Sequence, residues 1–168
     1  MPLYKTIYKS PIGDLSLVAN QDALIGSWFV NQKFFEASLA CLEEELLLQG
    51  HPILDLAIEW LDAYFAGEHP EQATFLQSSG SPFQEKVWSH LQLIPEGGTQ
   101  TYGRIARDIN CKSAQAVGGA VGKNPLSIFI PCHRVLASNG ALTGYAAGID
   151  RKIWLLNHES KRGKKEKK

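Results

Sequence analysis

Residues 67–82, GEHPEQATFLQSSGSP, interrupt the chain with a concentration of Gly, Pro and Ser that leaves neither a helical nor a strand pattern intact. The interruption ends in a helix start: Ser81 is placed to be the N-cap, Pro82 the first helical residue and Gln84 the third, a capping box. A chain divided in this way is expected to fold as two units. We place the boundary at residue 80, giving an N-terminal α/β domain with its linker over 1–80 and a C-terminal domain over 81–159. Residues 160–168 then read as a basic, disordered tail. Charge follows the same division, with 3 Lys/Arg against 11 Asp/Glu in residues 1–80 and 14 against 6 in residues 81–168, so the net charge of zero hides a dipolar chain. Six of the later cations lie in SKRGKKEKK at 160–168, which reads either as a solvated tail or as a loose phosphate-binding arm.

In the first unit, residues 3–9, 14–20 and 23–30 are rich in β-branched and aromatic side chains and are separated by Ser10-Pro11-Ile12-Gly13 and Asn20-Gln21-Asp22, turn compositions. They predict an antiparallel meander. Phe35, Leu39, Leu42 and Leu46 recur at helical spacing over 34–49, and Ile53, Leu56, Ala57, Trp60, Leu61, Tyr64 and Phe65 do so before Gly67, predicting two helices over one sheet face.

The second unit opens with a helix carrying Phe83, Val87, Trp88, Leu91 and Ile94 on its apolar face. Two short helices are expected next, over 102–109 and 113–122, with Asn110-Cys111-Lys112 as the turn and Ser113 as the second N-cap. Helix, tight turn, helix is a DNA-binding arrangement and also a common packing unit. Gly118 and Gly119 cost about 1 kcal/mol each against Ala inside a helix, which points to close approach by a ligand or by a neighbouring helix. Leu126–Ile130 reads as a short buried strand closed by Pro131. RVLA and ALTG around Ser138-Asn139-Gly140 predict a hairpin, a wing, and a last helix spans about 150–159, packing through Ile153, Trp154 and Leu156. The fold class is therefore α+β: a small N-terminal antiparallel sheet with helices, then a mostly helical winged helix-turn-helix domain.

With 168 residues and no run of about 18 apolar residues, the chain has length for a buried core and none for a membrane span. Its first residues lack a secretory signal, and a cytoplasmic protein is expected. Three cysteines, Cys41, Cys111 and Cys132, with no C-x-x-C pair, suit neither a disulfide framework nor a zinc site. The densest polar cluster in apolar surroundings is Pro131-Cys132-His133-Arg134. Adjacent His⁺ or Arg would lower the thiol pKa and make Cys132 a nucleophile; the alternative is a small buried hydrophobe beside surface charges.

The string GKNPLSIFIPCHRVLASNGALTGYAAGIDRKIWLLNHE at 122–159, with SPFQEKVW, IPEGGTQTYGRIA and AVGGAVGKNP before it, closely resembles the O6-alkylguanine-DNA alkyltransferases. The resemblance covers the whole second unit and is weaker in the first, mainly in SPIGDLSLVA. It implies direct, irreversible, single-turnover transfer of the alkyl group from O6-alkylguanine in double-stranded DNA, with O4-alkylthymine as a further candidate substrate, to Cys132, with no cofactor. It further implies that His133, oriented by Glu159, deprotonates Cys132 through a water, that Tyr102 donates to guanine N3, and that Arg134 is a structural and electrostatic partner. By the same resemblance the base is expected to be extruded from the duplex, with the loop Thr143, Gly144, Tyr145, Ala146, Ala147 and Gly148 closing over it. The resemblance implies that the carbonyls of Cys132 and Val135 read the guanine edges. It also implies that Asn124 ties the helix-turn-helix to the active-site segment and that the 113–122 helix enters the minor groove through Ser113, Gln115, Ala116, Gly118 and Gly119, with Lys123 beyond it.

Gln115 departs from the family pattern, which often has an intercalating arginine here. Gln brings neither planar cation nor phosphate attraction, so flipping is expected to be less favourable, with Lys112, Lys123 and the tail supplying part of the attraction. A monomer is expected, with no metal and no membrane partner. Three rivals remain: an alkyltransferase-like lesion binder, which Cys132 argues against; a winged-helix regulator without chemistry; and a cysteine hydrolase using His133 or His158.

Overall fold

The computed structural model describes residues 2–37, 39, 45–141 and 145–166, with side chains described as far as residue 160. It divides into two compact units, residues 1–79 with Pro125–Phe129, and Gly80–Asn124 with Ile130–Lys168. The short apolar segment 125–129 thus belongs to the unit that precedes it by some forty residues of chain.

The first unit is built on β1 (Leu3–Ser10), β2 (Gly13–Ala19) and β3 (Leu24–Phe29), an antiparallel meander. A two-residue β4 (Leu46–Leu47) adds to the free edge of β1, in parallel, giving the order β3-β2-β1-β4. Helix α1 (Pro52–Phe65) is capped by His51, whose Nδ1 accepts from the Ile53 amide at 3.1 Å. It buries Leu54, Ala57, Leu61 and Tyr64, while Leu56, expected inside, is exposed.

The helix expected over 34–49 is not formed by the described residues of that range. Phe34 and Glu36 adopt left-handed φ values of 63° and 52°, the chain turns through i to i+3 bonds, and Leu46–Leu47 is extended. Tertiary contacts override the spacing: the Glu36 carboxylate is held by Lys5 from β1 and by Ser16 from β2, the latter at 2.6 Å. Phe35 and Leu39 still pack against the core of Leu3, Val18 and Trp28. Residues 38 and 40–44 lie outside the described residues.

Leu126–Ile130 is buried as expected but is not a strand. Leu126 bridges to Ser27, with no continuous strand pairing after it, and the chain then turns through Ile128 at φ 76°. Its polar groups are satisfied by the meander, Ser127 N donating to the Ser27 carbonyl at 2.9 Å and Ser127 Oγ to Gln32 at 3.0 Å. Trp60 of α1 lies against Phe129 with ring centroids 4.7 Å apart.

The second unit begins with α2 (Pro82–Leu91), whose capping box has both hydrogen bonds, Gln84 N to Ser81 Oγ at 3.1 Å and Ser81 N to Gln84 Oε1 at 3.0 Å. Then come β5 (Gln100–Thr101), α3 (Tyr102–Asp108) and α4 (Ala114–Gly122). Thr101 caps α3, and Ser113 caps α4 through the Ala116 amide at 3.0 Å. Asn110 takes φ 59° in the turn between them, a conformation Asn tolerates better than most residues. The Trp88 indole donates to the Ala120 carbonyl at 2.9 Å, fixing α4 on α2 over Val87, Leu91, Ile105, Val117 and Val121.

β6 (Val135–Leu136) pairs in parallel with β5. The turn after it closes through Gly140 N to the Ala137 carbonyl, with Gly140 at φ 82°, and Ala137 N reaches back to Ala141. Leu142, Thr143 and Gly144, the far arm of the expected wing, lie outside the described residues. Helix α5 runs Ile149–Glu166, past residue 159, so the helix does not end where the tail was expected to begin. Its buried face is Lys152, Leu155 and Glu159, an i, i+3, i+7 stripe, whereas Ile153 is exposed and Trp154 and Leu156 are half-buried. No described helix is long and apolar enough to cross a membrane.

Candidate active site

Cys132 opens a single 3-10 turn, Cys132–Arg134, between Pro131 and β6. The turn follows from the sequence, since Pro131 fixes φ near −80° and its carbonyl accepts from Arg134 N at 3.1 Å. Ile130 supplies the anchor: its carbonyl takes the Cys132 amide and the Asn124 side-chain amide, both at 2.8 Å. Asn124 follows α4 directly and is buried, so the end of the helix-turn-helix and the cysteine hang from one carbonyl.

The three side chains of the turn diverge in function. His133, fully buried, places Nε2 2.6 Å from Glu159 Oε2. Arg134 forks onto the same carboxylate, Nε to Oε1 at 2.8 Å and Nη2 to Oε2 at 3.0 Å, and its Nη1 donates to the Ile94 carbonyl at 2.7 Å. Burial pushes the Glu159 carboxyl up, but its pairing with His133 and Arg134 outweighs this and holds it well below the usual carboxylate range. An ionised Glu159 requires Nε2 to carry the proton, so a neutral His133 has its lone pair on Nδ1. That atom is buried and makes no hydrogen bond within the protein.

Cys132 is 4% exposed, and burial raises its thiol pKa above that of an ordinary thiol. Asn124, Lys152 and Tyr145 act in the opposite direction, by hydrogen bonding or charge. Arg134, the cation nearest to Cys132 in sequence, directs its guanidinium to Glu159. The Tyr145 ring lies edge-on to His133 at 6.5 Å, and its buried hydroxyl is close to Cys132 without making a hydrogen bond of ordinary geometry. Tyr102 begins α3, half-buried, and both burial and the Cys132 charge raise its pKa.

Thus Cys132, His133, Arg134, Val135, Glu159, Tyr102, Asn124 and Tyr145 come together, while Ala146 and the buried Ala147 follow Tyr145 in a turn closed by Gly148 N to the Tyr145 carbonyl at 2.9 Å. Ser113, Gln115, Ala116, Gly119 and Lys123 line the exposed side of α4 and its end. Gly118 is different: a Cβ there would meet the Tyr102 ring at 3.8 Å, whereas one on Gly119 would meet nothing within 4 Å. His158 stacks on Trp154. Among the described residues no cluster of three or more His, Cys, Asp or Glu could hold a metal.

Compared with known proteins, residues 82–161 match the family model described as 6-O-methylguanine DNA methyltransferase, DNA binding domain, and residues 3–76 match its ribonuclease-like domain. A methylated-DNA–protein-cysteine methyltransferase of Methanosarcina acetivorans is 40% identical over 159 residues, covering 94% of this chain and 98% of that one. The chain belongs to the O6-methylguanine-DNA methyltransferase family. A second methyltransferase of that name, from Mycolicibacterium paratuberculosis, is 43% identical over 154 residues, covering 91% of this chain and 89% of the relative. Among solved structures, that of Mycobacterium tuberculosis O6-methylguanine methyltransferase superimposes with TM-score 0.82 at 37% identity, covering 95% of this chain and 94% of that one. The structure of Mycobacterium tuberculosis OGT in complex with DNA also gives 0.82, at 37% identity, covering 96% and 94%.

One polar residue of this methyltransferase site escaped the sequence reading. Lys152 is fully buried on the inner face of α5 and donates to the Val135 carbonyl at 2.5 Å. A lysine in a helix of mixed polarity reads as a surface residue; the available signal was its seven-residue interval from Glu159, two turns along one face.

Proposed function

We propose that this chain repairs double-stranded DNA by moving the alkyl group of a flipped-out O6-alkylguanine onto Cys132, once per molecule, as a monomer and without a cofactor. The observation that carries the reading is a buried cysteine followed in the chain by a buried histidine whose Nε2 lies 2.6 Å from the Glu159 carboxylate and whose Nδ1 makes no hydrogen bond within the protein. Nucleophile, base and orienting group are the parts that thiol catalysis requires.

The reaction divides among these residues. The Cys132 proton passes through a bridging water to His133 Nδ1, and Glu159 balances the resulting imidazolium. Sγ attacks the alkyl carbon; the S–C bond forms as the O6–C bond breaks, and the electron pair stays with the guanine, which takes a proton at N3 from Tyr102. Tyr102 later recovers its proton from solvent. The thiolate charge helps to hold the tyrosine proton, and that restraint vanishes when sulfur becomes a neutral thioether. The Cys132 and Val135 carbonyls and the turn at Tyr145, Ala146 and Ala147 are the expected guanine-reading surface. The exposed side of α4, with Ser113, Gln115, Ala116, Gly119 and Lys123, is the expected minor-groove surface, with Asn124 coupling it to the cysteine.

The test is the intact mass of the protein, with peptide mapping, after incubation with a duplex holding one O6-methylguanine. One methyl group on Cys132, in stoichiometric amount and absent with undamaged DNA, is the expected result. Tight lesion binding without transfer would instead make the chain a recognition protein.

A further inference from the structure

Buried lysines are rare because desolvation penalises the ammonium, and an apolar side chain of the same length would fill the space at lower cost. Lys152 nevertheless reaches from α5 to the Val135 carbonyl, three residues after Cys132, with its whole side chain enclosed. The titratable and charged groups around the thiol come from every side of it. They are Tyr102 from α3, Tyr145 from the turn before α5, and Lys152 from α5, with His133, Arg134 and Glu159 adjoining. Of the cations, Arg134 is occupied by Glu159 and Ile94, and Arg151 donates to the Ala147 carbonyl at 3.1 Å. The Lys152 ammonium is held at the carbonyl three residues after Cys132, and its charge acts to lower the Cys132 pKa against burial.

We propose that Lys152 is a positioning residue of the transfer reaction, one buried ammonium that fixes the Val135 carbonyl at the base-reading edge and balances the charge of the Cys132 thiolate. This inference rests on Cys132 as the alkyl acceptor. A carbonyl has two lone pairs, so Val135 can accept from Lys152 and still take a hydrogen bond from a guanine amino group. The ammonium also explains how a thiol in this much apolar enclosure can ionise: the charge formed on sulfur has a permanent partner. Burial lowers the lysine pKa and the thiolate raises it, so each group supports the charged form of the other.

The experiment is a thiolate titration by ultraviolet absorbance on the full chain without DNA, with Cys132→Ser as the blank, for the parent, Lys152→Met and Lys152→Arg. Lys152→Met should raise the midpoint of the Cys132 titration by about one pH unit and slow methyl transfer near neutrality about tenfold. The slow variant should recover as pH rises, and Lys152→Arg should retain most of the parent midpoint. Because Lys152→Met could fail to fold, a reciprocal measurement uses the intact lysine. The Lys152 ammonium, followed by NMR, should titrate at lower pH in Cys132→Ser than in the parent. An unmoved thiol midpoint in Lys152→Met, or an unmoved lysine midpoint in Cys132→Ser, overturns the proposal. A parent that never accepts a methyl group overturns the repair reading instead, and both titrations stay informative about the pair.

Discussion

Arg134 holds both oxygens of Glu159, at 2.8 and 3.0 Å, and His133 shares one of them at 2.6 Å. Two donors side by side in sequence, directly after Cys132, therefore converge on one carboxylate from α5. The guanidinium pairs with both carboxylate oxygens and fixes the plane of the group, so Glu159 is held in place to orient the imidazole. The nearest cation in sequence to Cys132 is thereby spent on the base.

Removing the Glu159 charge strands a buried guanidinium. Glu159→Gln should lose about 3–5 kcal/mol of stability near neutral pH, read by urea unfolding. The folded-state pKa of Glu159 is depressed, so its contribution is fully present above the unfolded carboxyl value of about 4.3 and declines as pH falls below it toward the lower folded value. The gap between parent and variant should therefore narrow in acid. A gap that is constant with pH would mean that packing, not charge, carries the cost.

Burial raises the Cys132 pKa, so the thiolate is the minor form near neutrality and grows with pH. Single-turnover methyl transfer should rise with pH through the neutral range, by as much as about tenfold per pH unit where thiolate formation limits the rate. Quench-flow rates on one lesion duplex would show this. A rate already level at neutral pH would place the thiol pKa below that range and contradict the effect of burial.

Asn124 contributes twice, by its 2.8 Å bond to the Ile130 carbonyl and by hydrogen bonding that favours the thiolate. Asn124→Ala leaves buried groups short of a partner, a loss of about 1–3 kcal/mol in unfolding free energy. Transfer should slow as well, and at high pH part of that loss should return. Slower transfer with no pH-dependent recovery would confine Asn124 to a structural role.

The legible parts of this chain are those fixed by local chemistry. Ser81 with Gln84, and Ser113 before α4, set helix starts through bonds spanning three residues, and the structure has them. Apolar spacing over 34–49 and the apolar run at 126–130 identified buried residues, but not the conformation that buries them. Glu36 is held by Lys5 and Ser16, and Ser127 by Ser27 and Gln32, contacts that no local pattern announces. In the site, Cys132, His133 and Arg134 stand out as a polar cluster in apolar surroundings, whereas Tyr102, Asn124, Tyr145 and Glu159 are picked out only by the family resemblance. Lys152 is picked out by neither, because a buried cation and an exposed one look alike until the opposite wall is known.

Gln115 sits exposed in the first turn of α4. If that side of the helix meets DNA, Gln115→Arg adds a cation able to stack and to reach phosphate. Transfer on a lesion duplex should become faster and affinity higher, and the salt slope of binding should steepen by about one. Unchanged rate and affinity on the same duplex would remove Gln115 from the interface.

Gly118 and Gly119 separate two reasons for small residues in α4. A methyl group on Gly118 meets the Tyr102 ring at ordinary contact distance, 3.8 Å, while one on Gly119 enters open space. Each change to Ala should stabilise the fold by up to about 1 kcal/mol through helix propensity, measurable by urea unfolding. Only the Gly119 methyl projects to the side that the proposed function lays in the minor groove. Gly119→Ala should therefore weaken lesion-duplex binding more than Gly118→Ala, despite its added stability, because the backbone can no longer approach the groove as closely. Equal binding by the two variants would indicate that the open side of α4 is not where DNA lies.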